Sequence, residues 1–95
     1  LLDQAARVRT DRSHLLAALR TMPGVVAFDS AANFVLVRVA DGPATAAALR
    51  ARGVLIKDVG RMHSLLANCL RFTVGSPDEN ATLLAALKSS LTVSG

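Results

Sequence analysis

The stretch Asn33 to Val39, Asn-Phe-Val-Leu-Val-Arg-Val, constrains this chain more than any other. It is apolar on both faces through Val37, as a central strand would be. The flanking sequence supplies the elements around it. From Leu2 to Thr21, Val8, Leu15, Leu19 and Met22 recur at helical spacing, with Ala5, Leu16 and Ala18 widening the stripe. Met22-Pro23-Gly24 ends this helix. Val25 to Phe28 then reads as a short strand, followed by a turn at Asp29-Ser30. After the central strand, Asp41 is placed to cap a second helix, with Pro43 tolerated in its first turn. That helix runs to Arg52, and Gly53 closes it as the residue after the C-cap. Val54 to Lys57 is a third strand, Asp58 to Asn68 an irregular connection, and Cys69 to Val74 a fourth strand. The last helix opens on Ser76-Pro77-Asp78-Glu79, a capping box with Pro in its first turn. Leu83, Leu84, Leu87 and Leu91 give it one apolar face. The order α-β-β-α-β-β-α predicts an α+β two-layer sandwich, with the helices on one face of a small mixed or antiparallel sheet.

Composition narrows the function classes. The 95 residues suffice for one domain. With 52% hydrophobic and 19% charged residues, a disordered segment is excluded. No apolar run approaches the roughly 20 residues that a bilayer span needs, so no membrane partner is expected. The apolar surplus is Ala, Leu and Val spread along the chain, which predicts a piece that packs against something larger. Cys69 alone cannot make a disulfide framework or a cysteine zinc cluster, and His14 and His63 lack metal-ligand spacing. The net charge of +4 invites a nucleic-acid reading. The arginines are scattered singly, however, and no Tyr or Trp is available to stack bases, so no nucleic-acid partner is expected. The chain begins Leu1-Leu2-Asp3, without an initiator Met or a signal-peptide pattern, and reads as a fragment of a cytoplasmic protein.

Alternation along the strands singles out two cations. In Cys69 to Val74, Leu70, Phe72 and Val74 share the face assigned to the core, while Cys69, Arg71 and Thr73 point the other way. In Val54 to Lys57, Val54 and Ile56 face the core, and Leu55 and Lys57 face away. If these strands are sheet neighbours, Arg71 and Lys57 stand together on the helix-free face. An Arg fork suits a carboxylate and a Lys point charge suits a phosphate. The plainer alternative is a pair of solvated cations, which spacing alone favours. His63 is the only titrating base in the long Asp58–Asn68 connection and reads as a surface residue. Cys69 reads as a small hydrophobe rather than a nucleophile. No GxGxxG or phosphate-loop pattern is present.

Three strings carry a family resemblance: Ala32-Asn33-Phe34-Val35-Leu36-Val37-Arg38, Gly53-Val54-Leu55-Ile56-Lys57-Asp58, and Cys69-Leu70-Arg71-Phe72-Thr73-Val74-Gly75-Ser76-Pro77-Asp78-Glu79-Asn80. In this order, and with Met22-Pro23-Gly24-Val25 after a long helix, they resemble the C-terminal small domain of the histidinol-phosphate aminotransferases. These are pyridoxal-phosphate enzymes of fold type I. The resemblance implies that residues 1–95 are that small domain, in an enzyme interconverting histidinol phosphate and 2-oxoglutarate with imidazole-acetol phosphate and glutamate. It implies pyridoxal 5′-phosphate as cofactor of the whole enzyme, a large domain as partner, and a homodimer. It maps the α-carboxylate arginine onto Arg71. The basic residue facing the distal, phosphate end of the substrate is usually Arg in the family and is Lys57 here. Asn33 and Phe34 correspond to the segment at the active-site mouth and are positional candidates for substrate binding. The family keeps its Schiff-base lysine, pyridinium carboxylate and cofactor tyrosine in the large domain. The 95 residues alone are therefore expected to bind no cofactor and to be inactive, their role being to close over the large domain and orient substrate. A related pyridoxal-phosphate enzyme, such as an aromatic aminotransferase or a threonine-phosphate decarboxylase, is the nearest alternative. A non-catalytic module binding anions or amino acids is the alternative from another class.

Overall fold

A computed structural model of the chain describes residues 4–29 and 33–93, without the side chains of 92 and 93. Three α-helices and four strands follow in the expected order: α1 Gln4–Arg20, β1 Val26–Phe28, β2 Phe34–Arg38, α2 Gly42–Ala51, β3 Ile56–Asp58, β4 Cys69–Thr73 and α3 Pro77–Val93. A short 3₁₀ turn, Ser64–Leu66, interrupts the connection expected to be irregular. The turn predicted at Asp29-Ser30 falls partly outside the described residues, as does the predicted helix start at Leu2.

The sheet order is β1-β2-β4-β3, and every pair is antiparallel. Of the two sheet types that the element order allows, this is the antiparallel one. β2 and β4 are the central strands. Val35, Val37, Leu70 and Phe72 on their helix-facing side are fully buried. Against them pack Leu15, Leu16 and Leu19 of α1, Ala46 and Leu49 of α2, and Leu83, Ala86 and Leu87 of α3. Truncating Phe72 would forfeit about 3–5 kcal/mol of transfer and cavity energy.

Caps set the element ends. Asp41 lies in the extended region, and its carboxylate accepts from the Ala44 N–H at 3.1 Å. Gly53, at φ +78°, donates to the Arg50 carbonyl, and Val54 donates to that of Leu49, both at 3.0 Å, which is a Schellman close. That tie moves the start of β3 from the expected Val54 to Ile56, because the Val54 N–H is already committed to the helix. At α3 the capping box is formed reciprocally: the Ser76 N–H donates to Glu79 Oε1 at 2.9 Å, and the Glu79 N–H donates to Ser76 Oγ at 3.2 Å. Hydrogen bonding of the carboxyl to Ser76, to its backbone N–H first and its side chain second, holds Glu79 below the ordinary glutamate range.

Candidate functional site

The helices leave one face of the sheet open. Antiparallel partners share a face, so the registers Phe34–Thr73, Leu36–Arg71–Lys57 and Arg38–Cys69 put these side chains on it, with Val26 and Phe28 from β1. The condition set by the sequence is met: β3 and β4 are neighbours, and Lys57 stands directly opposite Arg71. Two like charges across a strand pair are destabilising, by roughly 0.2–1 kcal/mol. Among the described residues neither cation makes a hydrogen bond or ion pair to offset this. Over them lies a shallow depression of about 190 Å³, lined by Leu55, Ile56, Lys57, Arg71 and Thr73. Of the larger hollows, those of about 500 Å³ beside the start of α3 and about 640 Å³ between the ends of α1 and α3 hold no arginine, and one of about 390 Å³ between α2 and the end of α3 sets Arg52 beside Asp41.

Arg71 is half-buried, and its guanidinium carbon lies 4.5 Å from the centroid of the Phe34 ring. The ring attracts the cation through its quadrupole and brings no carbonyl or carboxylate oxygen to occupy the guanidinium's N–H fork. Lys57 is exposed, as its position on the edge strand dictates. Asn33 is exposed too, and its carbonyl accepts from the Val74 N–H at 2.7 Å, closing the β2–β4 pair at that end. The depression over the cations thus gathers Lys57 and Arg71, with Phe34 under Arg71, while Asn33 contributes through its backbone.

The other end of the open face is covered. Arg38 donates through Nε to the Ala67 carbonyl at 3.1 Å and through a terminal nitrogen to that of Leu65. The connecting segment is thereby drawn over the sheet, and Cys69 is fully buried although it points away from the helices. It packs as the small hydrophobe that the sequence suggested. His63 is exposed, and its Nδ1 accepts from the Leu65 N–H at 3.0 Å, capping the 3₁₀ turn. Asn68 adopts φ +61°, and its Oδ1 accepts from the Gly42 N–H at 2.9 Å, so this segment is also pinned to the start of α2. A side chain at position 42 would collide with Asn68, its Cβ falling 2.8 Å from the Asn68 Cα.

Three of these residues escaped the sequence reading. Arg38 and Asn68 act over long sequence separations that periodicity does not register. Asn80 accepts from the Gly75 N–H at 2.8 Å and donates back to the Gly75 carbonyl at 3.1 Å, fixing the chain between Arg71's strand and α3. A buried asparagine on an otherwise apolar helix face was the available signal. Among the described residues no group of three or more His, Cys, Asp or Glu could hold a metal ion, and no helix is long and apolar enough to cross a membrane.

The chain is similar to known proteins over most of its length. No family model matches the chain. Histidinol-phosphate aminotransferases align along nearly all of it: that of Methylibium petroleiphilum is 57% identical over 88 residues, 93% of this chain and 24% of the relative. That of Chromobacterium violaceum is 55% identical over 85 residues, 90% of this chain and 24% of the relative. The chain spans about a quarter of the length of the curated relatives it matches. Among solved structures, one from Burkholderia pseudomallei, provisionally named an aminotransferase, is 38% identical, with a TM-score of 0.78 over 88% of this chain and 25% of that one. The histidinol-phosphate aminotransferase of Clostridium acetobutylicum shares the fold, with a TM-score of 0.81 at 22% identity over 90% of this chain and 27% of that one. So does an L-threonine-O-3-phosphate decarboxylase from Porphyromonas gingivalis, with a TM-score of 0.85 at 22% identity over 95% and 29%. The resemblance carried by the three strings therefore extends over the chain, in sequence and in fold.

Proposed function

We propose that the chain is the small domain of a histidinol-phosphate aminotransferase, and that its open face closes over the large domain and receives the substrate's anionic groups. The observation that carries the reading is the cation pair. Arg71, backed by Phe34, keeps its fork free beside Lys57 in a sequence 57% identical to such enzymes. Arg71 takes the α-carboxylate of glutamate, for which a planar two-donor fork is the matching shape. Lys57 faces the distal, phosphate end, where it supplies charge without the fork that an arginine would add. Closure of the face excludes water and fixes the substrate's orientation.

Transamination in this family depends on pyridoxal 5′-phosphate, but the described residues of this chain do not fit that group. The cofactor needs a lysine amine and a carboxylate at its ring nitrogen. Lys57 is exposed against Arg71, and none of the strand residues on the open face is a carboxylate. No step of the chemistry is therefore assigned to this chain. The cofactor's groups belong to the large domain, the working enzyme is a cytoplasmic homodimer, and the 95 residues alone are inactive.

The test is an assay of the full-length protein with histidinol phosphate and 2-oxoglutarate, and separately with phenylalanine and with threonine phosphate. Turnover of histidinol phosphate, with glutamate binding weakened by Arg71→Ala, is the expected result. Activity confined to phenylalanine or threonine phosphate would overturn the substrate assignment. Unchanged glutamate kinetics in Arg71→Ala would overturn the role of Arg71.

A further inference from the structure

We infer that Phe34 is a positioning residue, a platform that holds the Arg71 guanidinium over its ring as a ready-made carboxylate fork; this rests on the substrate role proposed for Arg71. The register makes the contact. Phe34 pairs with Thr73, two residues beyond Arg71 on β4, so the ring and the guanidinium are diagonal neighbours on one face. At that separation an aromatic ring and a long side chain reach one another, and the 4.5 Å centroid distance shows that they do. An arginine stem has many rotamers, and among the described residues no hydrogen bond fixes this one. The ring is what remains to hold it. Phe34 is itself well anchored. It leads a central strand whose next residue, Val35, is fully buried, and the Asn33 carbonyl ties the same end to Val74. A platform built this way restricts the cation before substrate arrives without consuming a donor, so less ordering is left for the binding step.

The role is read in the full-length enzyme by steady-state kinetics. Phe34→Leu, which keeps apolar bulk but removes the π face, should raise KM for glutamate about 2- to 30-fold, the range of a cation–π contact at an exposed to desolvated site. It should leave kcat within about twofold, as for a contact made equally in ground and transition states. Phe34→Tyr, which retains the face, should stay near the parent KM. In an Arg71→Ala background, Phe34→Leu should add almost nothing, because the group it positions is gone. A KM increase of the same size in both backgrounds would show that the ring serves folding or touches substrate directly, and would overturn the inference. Should Phe34→Leu not fold, Phe34→Met carries the same comparison. If Arg71→Ala leaves glutamate KM unchanged, the reading of Arg71 has failed. If Arg71→Ala raises it and Phe34→Leu does not, only the platform has failed.

Discussion

Among the described residues the open face carries two arginine–phenylalanine pairs, and their donors are placed differently. Arg38 lies 5.5 Å from the centroid of Phe28, and Arg71 lies 4.5 Å from that of Phe34. Each pair is a diagonal across an antiparallel ladder, and in each the ring lies one step towards the same end of the sheet. What separates them is the fate of the donors. Arg38 gives its N–H groups to the Leu65 and Ala67 carbonyls and so fastens a connecting segment. Among the described residues Arg71, on a central strand like Arg38, has only the ring, and it faces Lys57. A charge whose donors are satisfied inside the fold is part of the scaffold. One held over a ring and left with open donors beside a like charge is, on the function proposed above, arranged for a ligand.

Exchanging the two arginines for alanine in the full-length protein is the most direct way to break this comparison. Arg71→Ala should lower kcat/KM for glutamate by about 2–5 kcal/mol, some 30- to several-thousand-fold, as for removing one partner of a desolvated hydrogen-bonded charge pair. Amide exchange in the 63–68 segment should not change. Arg38→Ala should do the reverse. Two charge-assisted bonds to carbonyls are lost, and the Leu66 and Ala67 amides, which close the 3₁₀ turn onto His63 and Ser64, should exchange faster. The expected local cost is about 1–3 kcal/mol, the range for hydrogen bonds to a charged group, with glutamate kinetics near those of the parent. Equal kinetic losses in the two variants would erase the distinction.

How far this contrast was legible in the sequence depends on the reach of each interaction. Helix ends were readable because Asp41, Gly53 and the Ser76–Glu79 box act within a few residues of themselves. Alternation put Arg71 and Lys57 away from the helices, since a strand's period of two is local. That β3 lies beside β4 was needed as a condition, because pairing between distant segments leaves no periodic trace. Nothing local separates Arg38 from Arg71: both sit at alternate positions of apolar strands. The difference lies in carbonyls nearly thirty residues away along the chain, presented by a segment bent at Asn68. The late start of β3 was missed for a related reason, since apolar alternation from Val54 does not reveal that its N–H is already spent on α2.

Lys57 sharpens the contrast from the ligand side. If the two cations divide the substrate between them, Lys57→Ala should raise KM for the phosphorylated substrate about 2- to 5-fold, as for one exposed ion pair. Glutamate, which reaches Arg71, should be affected less than about twofold. Losses of equal size for both substrates would mean that Lys57 only adds to a general positive field and does not contact the phosphate. Lys57→Arg, which restores the fork, should strengthen phosphate binding relative to the parent.

The smallest expected effect is in the capping box that follows Arg71's strand. Its pH-sensitive part is the Glu79 carboxyl. Its folded pKa lies below the unfolded one because Ser76 donates to its ionised form. Its contribution is therefore fully present above the unfolded value and disappears as pH falls through the folded value. Glu79→Gln keeps a side chain able to cap but removes the charge. Protection of the Ser76 and Glu79 amides, taken relative to the intrinsic exchange rate at each pH, should be higher in the parent at neutral pH. The two proteins should converge as the solution is acidified. A parent-to-variant ratio that does not change with pH would mean that the carboxylate's charge adds nothing to the cap, leaving the box held by its hydrogen-bond geometry alone.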